Sequence, residues 1–232
     1  FPPRGIGLIN AYGQTESTAT LTFLGPEDHD LSVDTAVRES RLRSVGKPMP
    51  DVQLAIMDER NNLLAPGEEG EICVKSDRVM KGYYKMEDKT REVIDGDGWL
   101  HTGDLAEMDE NGYVKITGRA KDMIIRGGEN VYSVEVEHVL FDHPDVIDAA
   151  VVGVPHRTLG EEVKAVVQLR DDSGATEEDI RAFCAQHLAN YKVPAHVEIR
   201  REPLPRNPAG KVLKNLLRGQ ETAFVAGDDQ AL

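Results

Sequence analysis

The hydrophobic pattern of this chain changes character once, between Arg119 and Asp122, and that change limits the folds that the chain can adopt. Before it, short runs of alternating apolar and polar residues are separated by turn residues, which is typical of antiparallel strands. After it, helical periodicity alternates with short buried strands, which is typical of mixed α and β structure. The sequence therefore predicts an α+β protein in two parts, residues 1–120 and 121–232.

The first part is predicted to consist mainly of strands. Residues 6–12 are largely apolar and predict a short strand, whereas the polar residues 26–45 predict a long loop. Alternation at 52–56 and 71–75 predicts two half-buried strands. Residues 109–112 end in Asn-Gly between two β-rich runs, a strong hairpin signal. Strands this short and closely spaced indicate a small β-barrel or a sandwich.

The second part mixes strands with helices. Residues 123–125 predict a strand, and residues 126–130 predict a tight loop. Ser133 is the predicted cap of a helix that Pro144 ends, and Thr176 opens a capping box for the next helix. Residues 149–154 and 164–169 predict two buried strands, residues 196–200 predict a last short strand, and residues 212–217 predict the start of a final helix.

Charge and composition exclude several kinds of partner. The chain carries 27 Lys and Arg against 41 Asp and Glu, a net charge of −14, so it repels nucleic acid and anionic membranes. No apolar run approaches the roughly 18 residues that a membrane span needs. The two cysteines, Cys73 and Cys184, are far apart in sequence and predict reduced core residues of a cytoplasmic protein. Cysteine and histidine are also too sparse and scattered along the chain to predict a zinc site.

The segment Tyr-Gly-Gln-Thr-Glu at residues 12–16 follows the first predicted strand, and strand ends of this kind hold ligands in open α/β sheets. The hydroxyl of Thr15 is a candidate donor to phosphate, and the carboxylate of Glu16 is a candidate ligand of Mg²⁺. Tyr12 could stack on a base. A polar turn is the alternative explanation of the segment.

Two further segments could contact a sugar and its phosphates. Asp104 comes directly after Gly103 and is suited to accept hydrogen bonds from two ribose hydroxyls. Arg119 suits phosphate and ribose oxygens, and the adjacent Gly127 and Gly128 let backbone approach a thin ligand closely. The alternatives are turn chemistry at Gly103 and a charged linker followed by a turn.

Lys211 ends the loop Asn-Pro-Ala-Gly-Lys at residues 207–211, and a mobile ammonium can neutralise charge that develops on a phosphate. The loop is not a Walker A sequence. Residues 192–218 hold seven Lys and Arg against two Glu, which would suit a polyanionic small molecule. A single lysine is otherwise most simply surface charge.

The order and spacing of these segments are more specific than any segment alone. The sequence contains Tyr-Gly-Gln-Thr-Glu, Gly-Trp-Leu-His-Thr-Gly-Asp, Gly-Arg-Ala-Lys-Asp-Met-Ile-Ile-Arg-Gly-Gly-Glu-Asn-Val and Asn-Pro-Ala-Gly-Lys-Val, in that order. Over residues 5–218 the chain thereby resembles the adenylate-forming superfamily of acyl-CoA synthetases, peptide-synthetase adenylation domains and beetle luciferases. The motif Gly-Gly-Glu-Asn-Val resembles the corresponding motif of the acyl-CoA ligase branch, particularly of the enzymes that act on fatty or aryl acids.

The resemblance implies a two-step reaction with ATP, Mg²⁺, a small-molecule carboxylic acid and coenzyme A. The carboxylate attacks the α-phosphate of ATP to give acyl-adenylate and pyrophosphate, and a thiol then displaces AMP. The implied catalytic residues are Lys211, Thr15 and Glu16, with Glu16 as the Mg²⁺ ligand. The implied nucleotide contacts are Tyr12, Gly13, Gln14, Thr15, Asp104, Ile116, Arg119 and Lys211.

The resemblance also implies a moving domain. Lys121 would be the hinge on which the C-terminal domain rotates between the two steps, at a position where many relatives have Asp and Lys is a known variant. After the rotation, Gly127 and Gly128 would line the tunnel for the pantetheine of coenzyme A. One domain would thus supply different residues to two half-reactions.

The chain departs from the family by lacking its Ser/Thr/Gly-rich phosphate loop and most of the acyl pocket. Residues 1–120 therefore resemble the end of the large N-terminal domain, its last ligand strand plus a small β-barrel subdomain, and residues 121–232 resemble the small mobile domain. The chain begins without Met, and we expect a C-terminal fragment that is inactive or nearly so by itself. The alternatives are an enzyme that loads a carrier protein and a non-enzymatic binding module.

Overall fold

The computed structural model of the protein describes residues 7–30, 32, 34–208 and 210–219. The chain divides between Lys121 and Asp122 into two compact units. Each unit combines β-sheet with short helices, which confirms the α+β class that the sequence predicts. No helix among the described residues is long and apolar enough to cross a membrane.

The first unit opens with a small antiparallel sheet. Its three strands, in spatial order, are β1 (Asn10–Tyr12), β2 (Thr22–Leu24) and β3 (Lys47–Pro48). β1 is shorter than the strand predicted over 6–12, and Ile6 lies outside the described residues. Tyr12 ends β1, so the polar segment that follows does begin at a strand end, as predicted.

Residues 26–45 are not the long loop that their polarity predicts. They contain a 3₁₀ turn, Pro26–His29, and an α-helix, α1 (Thr35–Leu42). The carboxylate of Asp34 caps α1 by accepting hydrogen bonds from two amides of its first turn at 3.0 and 3.3 Å. No residue of α1 is buried. The helix therefore lacks the buried apolar face from which a surface helix is normally predicted in a sequence.

The second sheet of the first unit is antiparallel and has four strands. In spatial order they are β4 (Gln53–Met57), β5 (Glu69–Lys75), β6 (Leu100–Met108) and β7 (Val114–Arg119). The hairpin predicted at 109–112 is confirmed, because β6 and β7 flank it and Gly112 takes the turn conformation at φ +82°. Among the described strands β4 and β7 do not pair with each other. The small barrel predicted from the sequence is therefore wrong, because four short strands are too few to close.

Another helix, α2 (Glu87–Val93), lies between β5 and β6 in the chain, where the sequence predicts only strands and turns. Within α2 only Val93 packs against the apolar core of the second sheet. A single apolar contact leaves no helical periodicity in the sequence, which explains why the helix is missed.

Strand β6 carries the most regular alternation of the first unit. Its buried positions are every second residue, beginning with Leu100 and ending with Ala106. The two positions between them on the same face are Thr102 and Asp104. Two polar side chains are therefore directed inward beside the apolar core.

The second unit contains a five-stranded sheet. The hairpin of β10 (Val146–His156) and β11 (Gly160–Leu169) forms one side of it. β11 also pairs with β8 (Met123–Arg126) in antiparallel and with β12 (His196–Arg200) in parallel, and β8 pairs with β9 (Glu129–Tyr132). The strands predicted at 149–154, 164–169 and 196–200 are thus confirmed, and the first two are buried along most of their length.

Within the described residues, the second unit has three α-helices, namely α3 (Ser133–Phe141), α4 (Glu177–His187) and α5 (Lys214–Leu217). Thr176 forms the predicted capping box, since its hydroxyl and the carboxylate of Asp179 bond each other's backbone amides at 3.3 and 2.9 Å.

Ser133 is not the predicted cap. It is the first residue of α3, Tyr132 occupies the cap position, and the hydroxyl of Ser133 accepts a hydrogen bond from Lys214 at 2.9 Å. The Ser133 side chain is therefore used in a tertiary hydrogen bond and not in the helix cap that the local sequence predicts.

Candidate functional site

A β-bulge in β6 shapes the site. Three residues of β6, 102–104, face a single residue of β5. Gly103 takes φ +73°, a conformation that favours glycine, and its amide donates to the Glu71 carboxylate at 2.8 Å. The bulge includes Asp104 and therefore sets the backbone from which that side chain projects.

Asp104 is the central acceptor of the site. It pairs in register with Arg119 of β7, whose Nε donates to Asp104 Oδ1 at 2.6 Å, and the Tyr12 hydroxyl donates to Asp104 Oδ2 at 2.7 Å. Asp104 is only 5% exposed, so these two donors offset the cost of burying its carboxylate. A carboxylate has about four acceptor positions. Arg119 and Tyr12 occupy two of these positions.

Tyr12 connects the two sheets of the first unit. Burial is the main reason why the pKa of the Tyr12 phenol lies far above its usual range, and the hydrogen bond to Asp104 raises it further. The hydroxyl therefore stays protonated and remains a donor at physiological pH. The neighbouring Gly13 tolerates no side chain, because a Cβ there would lie 1.5 Å from the Ala19 carbonyl oxygen.

Glu16 lies in the 3₁₀ turn Thr15–Ser17 that follows β1. Its Oε1 accepts a hydrogen bond from the Tyr83 hydroxyl at 2.8 Å, and its backbone carbonyl accepts from the Met80 amide at 2.7 Å. The hydrogen bond to Glu16 raises the pKa of the Tyr83 phenol, which keeps that hydroxyl protonated. The loop before α2 thus holds both the backbone and the carboxylate of Glu16.

A cavity of about 480 Å³ lies against this turn and the bulge. Such a volume suits a ligand of nucleotide size. Five of the site residues predicted from the sequence line this cavity, namely Gln14, Thr15, Glu16, Arg119 and Lys121. Parts of the chain that are far apart in sequence therefore share one concave surface.

The oxygen donors of this cavity fit a hard divalent cation. The Glu16 carboxylate and the Thr15 hydroxyl both line it, and carboxylate oxygens are the ligands that Mg²⁺ prefers, with water and substrate phosphates completing its shell. Ile116, another predicted nucleotide contact, packs against the apolar core of the second sheet. Its contact with nucleotide stays a prediction.

The other selected residues belong to the second unit. Gly127 and Gly128 form the two-residue turn between β8 and β9, at φ +62° and +89°, as a type I′ hairpin requires. Arg126 and Glu129 pair across it. Residues 126–130 are therefore a hairpin and not one loop, because the two glycines alone supply the turn.

Lys211 ends a tight turn at 207–211. The Asn207 amide donates to the Lys211 carbonyl, and the Lys211 amide donates to the Asn207 side chain, each at 2.9 Å. Gly210 takes φ +82° within the turn. The backbone is thus held around an exposed lysine, an arrangement suited to a long side chain that reaches a ligand.

The basic segment 192–218 is more neutral than its composition indicates. Most of its cations pair with carboxylates of the second unit: Lys192 with Glu135, Arg200 with Glu198, Arg206 with Asp148, Lys214 with Glu137 and Arg218 with Asp122. Most of the positive charge of the segment therefore stabilises the second unit.

Two residues that support the site were not predicted from the sequence. Tyr83 holds Glu16 from 67 positions along the chain, and no local pattern marks it. The hydroxyl of Thr102 donates to the Ile72 carbonyl at 2.8 Å and accepts from the Asp104 amide at 3.1 Å. Alternation along β6 could have found Thr102, because that pattern places it on the buried face.

Two sequence models of known families match the chain. One, described as AMP-binding enzyme, matches residues 2–84, and the other, described as AMP-binding enzyme C-terminal domain, matches residues 135–211. Together they cover more than half of the chain. The protein belongs to the adenylate-forming family of AMP-binding enzymes, as the spacing of its motifs predicts.

Individual relatives agree with this assignment. A long-chain-fatty-acid–CoA ligase of Salmonella typhimurium (strain LT2) is 43% identical over 213 residues, which are 92% of this chain and 36% of that protein. The amide bond synthetase McbA from Marinactinospora thermotolerans superposes with a TM-score of 0.80 at 42% identity, over 91% of this chain and 42% of its own.

A third relative was solved with its reaction intermediate. The o-succinylbenzoate CoA synthetase MenE from Bacillus subtilis, in complex with the acyl-adenylate OSB-AMP, has a TM-score of 0.81 at 34% identity, over 93% of this chain and 42% of its own. MenE was also solved with ATP and a magnesium ion. The chain spans less than half the length of each of these relatives.

Proposed function

We propose that this chain supplies the C-terminal part of an ATP-dependent, AMP-forming carboxylic acid–CoA ligase. The observation that carries the proposal is the cavity of the first unit, where the Glu16 turn and the Arg119 strand end converge beside the buried acceptor Asp104. The CoA ligases among the relatives support the same activity. Residues 1–120 would belong to the large nucleotide-binding domain and residues 121–232 to the mobile one.

In the first half-reaction a carboxylate oxygen of the acid attacks the α-phosphorus of ATP, and pyrophosphate leaves. We assign the ribose hydroxyls to Asp104, the adenine to the face of the Tyr12 ring and the phosphates to Thr15. Lys211 neutralises the charge that develops on the α-phosphate. Mg²⁺ at Glu16 would supply further charge compensation for the leaving pyrophosphate.

In the second half-reaction the thiol of coenzyme A attacks the acyl carbon, and AMP leaves. We assign the pantetheine contact to Gly127 and Gly128, because their exposed turn has no side chain to obstruct a thin ligand. We assign the hinge to Lys121, which lies in the 3₁₀ turn Ala120–Asp122 at the last position of the first unit. Rotation at Lys121 would move Lys211 out of the active site after the first step and bring the turn of Gly127 and Gly128 into it for the second step.

The test joins this chain to the N-terminal part of the Salmonella typhimurium ligase, up to the point where the two sequences begin to match. AMP and acyl-CoA are measured from ATP, coenzyme A and a panel of carboxylic acids. We expect both products from the joined protein and no turnover by the 232-residue chain alone, since the phosphate loop is absent from it. Lys211→Ala should slow acyl-adenylate formation by about 100-fold or more.

The matched control is Lys89→Ala, at an exposed helix position outside the cavity, and it should keep full activity. A joined protein that folds cooperatively but forms no AMP with any acid would contradict the proposal. Because one structural relative is an amide bond synthetase, an amine and a holo carrier protein are included as acceptors. A product on either of these in place of the thioester would retain adenylation but replace the CoA ligase assignment.

A further inference from the structure

Strands β5 and β6 bring together three side chains with different metal-binding atoms. Glu71, Cys73 and His101 each place one ligand atom so that all three lie within 4.8 Å of one another. We propose that these residues bind a thiophilic divalent cation, with Zn²⁺ as the best fit. This site goes beyond the proposed ligase activity and does not use the magnesium ligand Glu16.

The sheet itself sets the geometry of the cluster. Cys73 and His101 are register partners on adjacent strands, and their Sγ and Nδ1 atoms are 3.4 Å apart. Tetrahedral zinc with ordinary bond lengths separates sulfur and nitrogen ligands by about 3.6 Å. The third ligand atom, Glu71 Oε2, lies 2.8 Å from Nδ1, and zinc would require it to move outward by roughly 0.6 Å.

A carboxylate lies behind the histidine. His101 Nε2 is 3.6 Å from Asp95 Oδ2, and the other oxygen of Asp95 accepts from the amides of Asp97 and Trp99 at 3.0 and 2.9 Å. Metal-ligating histidines commonly direct their second ring nitrogen at such a carboxylate, which selects the tautomer. Here it would keep the proton on Nε2 and direct the Nδ1 lone pair at the metal.

The charges of the cluster favour a cation. The carboxylates of Glu71 and Asp95 place negative charge next to the Cys73 thiol. A divalent cation compensates these negative charges, and its binding releases the thiol proton. Thiolate and imidazole ligands select zinc over magnesium.

The site is open to solvent on one side. The His101 and Glu71 side chains are 18% and 27% exposed, whereas Cys73 is fully buried. The cation would therefore enter past His101 and Glu71 and reach Cys73 last. His101 also lines the proposed nucleotide cavity, so the two sites would be adjacent.

Titration of the protein with Co²⁺, a spectroscopic substitute for zinc, tests the proposal without any enzymatic assay. We expect a thiolate-to-cobalt charge-transfer band in the near ultraviolet that Zn²⁺ abolishes and Mg²⁺ leaves unchanged. Cys73→Ala should abolish the band, and His101→Gln should weaken Co²⁺ affinity by about 10-fold or more. Cys184→Ala is the matched control, since Cys184 is also a buried free thiol, and it should keep the band.

Circular dichroism establishes that each variant is folded. If Cys73→Ala does not fold, Glu71→Gln replaces it, because that partly exposed side chain can change without loss of core packing, and it should also weaken Co²⁺ affinity. No charge-transfer band in the folded wild-type chain would overturn the proposal, as would a band that survives these substitutions. Absence of ligase activity in the joined protein would leave this readout unaffected, so the two proposals can fail separately.

Discussion

The carboxylate of Asp104 depends on two residues that the chain brings to it from different strands. Tyr12 comes from 92 positions earlier and Arg119 from the adjacent strand. Burying an ionised carboxylate is costly unless hydrogen-bond donors accompany it. The two donors therefore make a buried acceptor possible.

Tyr83→Phe in the joined protein should raise the Mg²⁺ concentration needed for half-maximal adenylate formation by about 10-fold, which is the effect of one hydrogen bond to a charged group. The substitution removes only the hydroxyl that holds Glu16 Oε1. The measurement is the initial rate of AMP release against Mg²⁺ concentration at saturating ATP.

The adjacent tyrosine supplies the control for that measurement. Tyr84 is 85% exposed, and Tyr84→Phe should leave the magnesium dependence at its wild-type value. Equal magnesium dependence of the Tyr83→Phe and wild-type proteins would show that the hydroxyl does not position the Glu16 carboxylate.

At the scale of elements, β12 joins the second unit by parallel pairing with β11, and an ionic cluster reinforces the pair. Glu198 of β12 accepts from Lys164 of β11 at 2.7 Å and from Arg200 at 2.6 Å. The hydrogen bond with Lys164 is the largest influence on the pKa of Glu198 and lowers it, and the contact with Arg200 lowers it further. The charged form of Glu198 therefore stabilises the folded unit.

Glu198→Gln should lower stability modestly at neutral pH, by less than about 1 kcal/mol, because the pair is partly exposed. The folded pKa lies below the unfolded one, so the stabilisation is complete above the usual pKa of glutamate and is lost as pH falls through the folded pKa. The urea midpoints of variant and wild type should differ at about pH 7 and converge as the pH falls through the folded pKa of Glu198.

Glu178→Gln is the control for this measurement. Glu178 also pairs with an arginine, Arg181, but it is 80% exposed and should have little influence on the urea midpoint. A difference between Glu198→Gln and wild type that stays unchanged as the solution is acidified would refute the ionic explanation.

At the scale of the whole molecule, the proposed ligase needs residues 122–232 to take two positions relative to the nucleotide domain. Proline at position 121 would fix φ near −65° and remove a backbone donor. Lys121→Pro in the joined protein should therefore retain acyl-adenylate formation and slow thioester formation by about 10-fold or more. Single-turnover assays of the two half-reactions measure this split.

Lys121→Ala removes the same side chain but keeps the backbone free to rotate. The rates of both half-reactions should be closer to those of the wild type in Lys121→Ala than in Lys121→Pro. If Lys121→Pro and Lys121→Ala change the two half-reactions in equal proportion, position 121 acts through its side chain and the hinge assignment is wrong.

The α+β class, the hairpin at 109–112 and the capping box at Thr176 could all be predicted from the sequence. Each depends on residues a few positions apart, whose backbone preferences act locally. The helices α1 and α2 could not be predicted, because α1 buries no residue and α2 contributes little to the core. The predicted barrel failed because local alternation determines strands but not whether a sheet closes.

The sequence by itself determined the family of this protein, because motif residues such as 12–16 and 207–211 keep their order and chemical types along the chain. Only the tertiary structure decided that Tyr83 holds Glu16 and that Glu71, Cys73 and His101 meet. Cysteine and histidine that look too scattered for a zinc site become neighbours once β5 and β6 pair. Strand register brings such residues together, and register is a property of the folded sheet that no local pattern encodes.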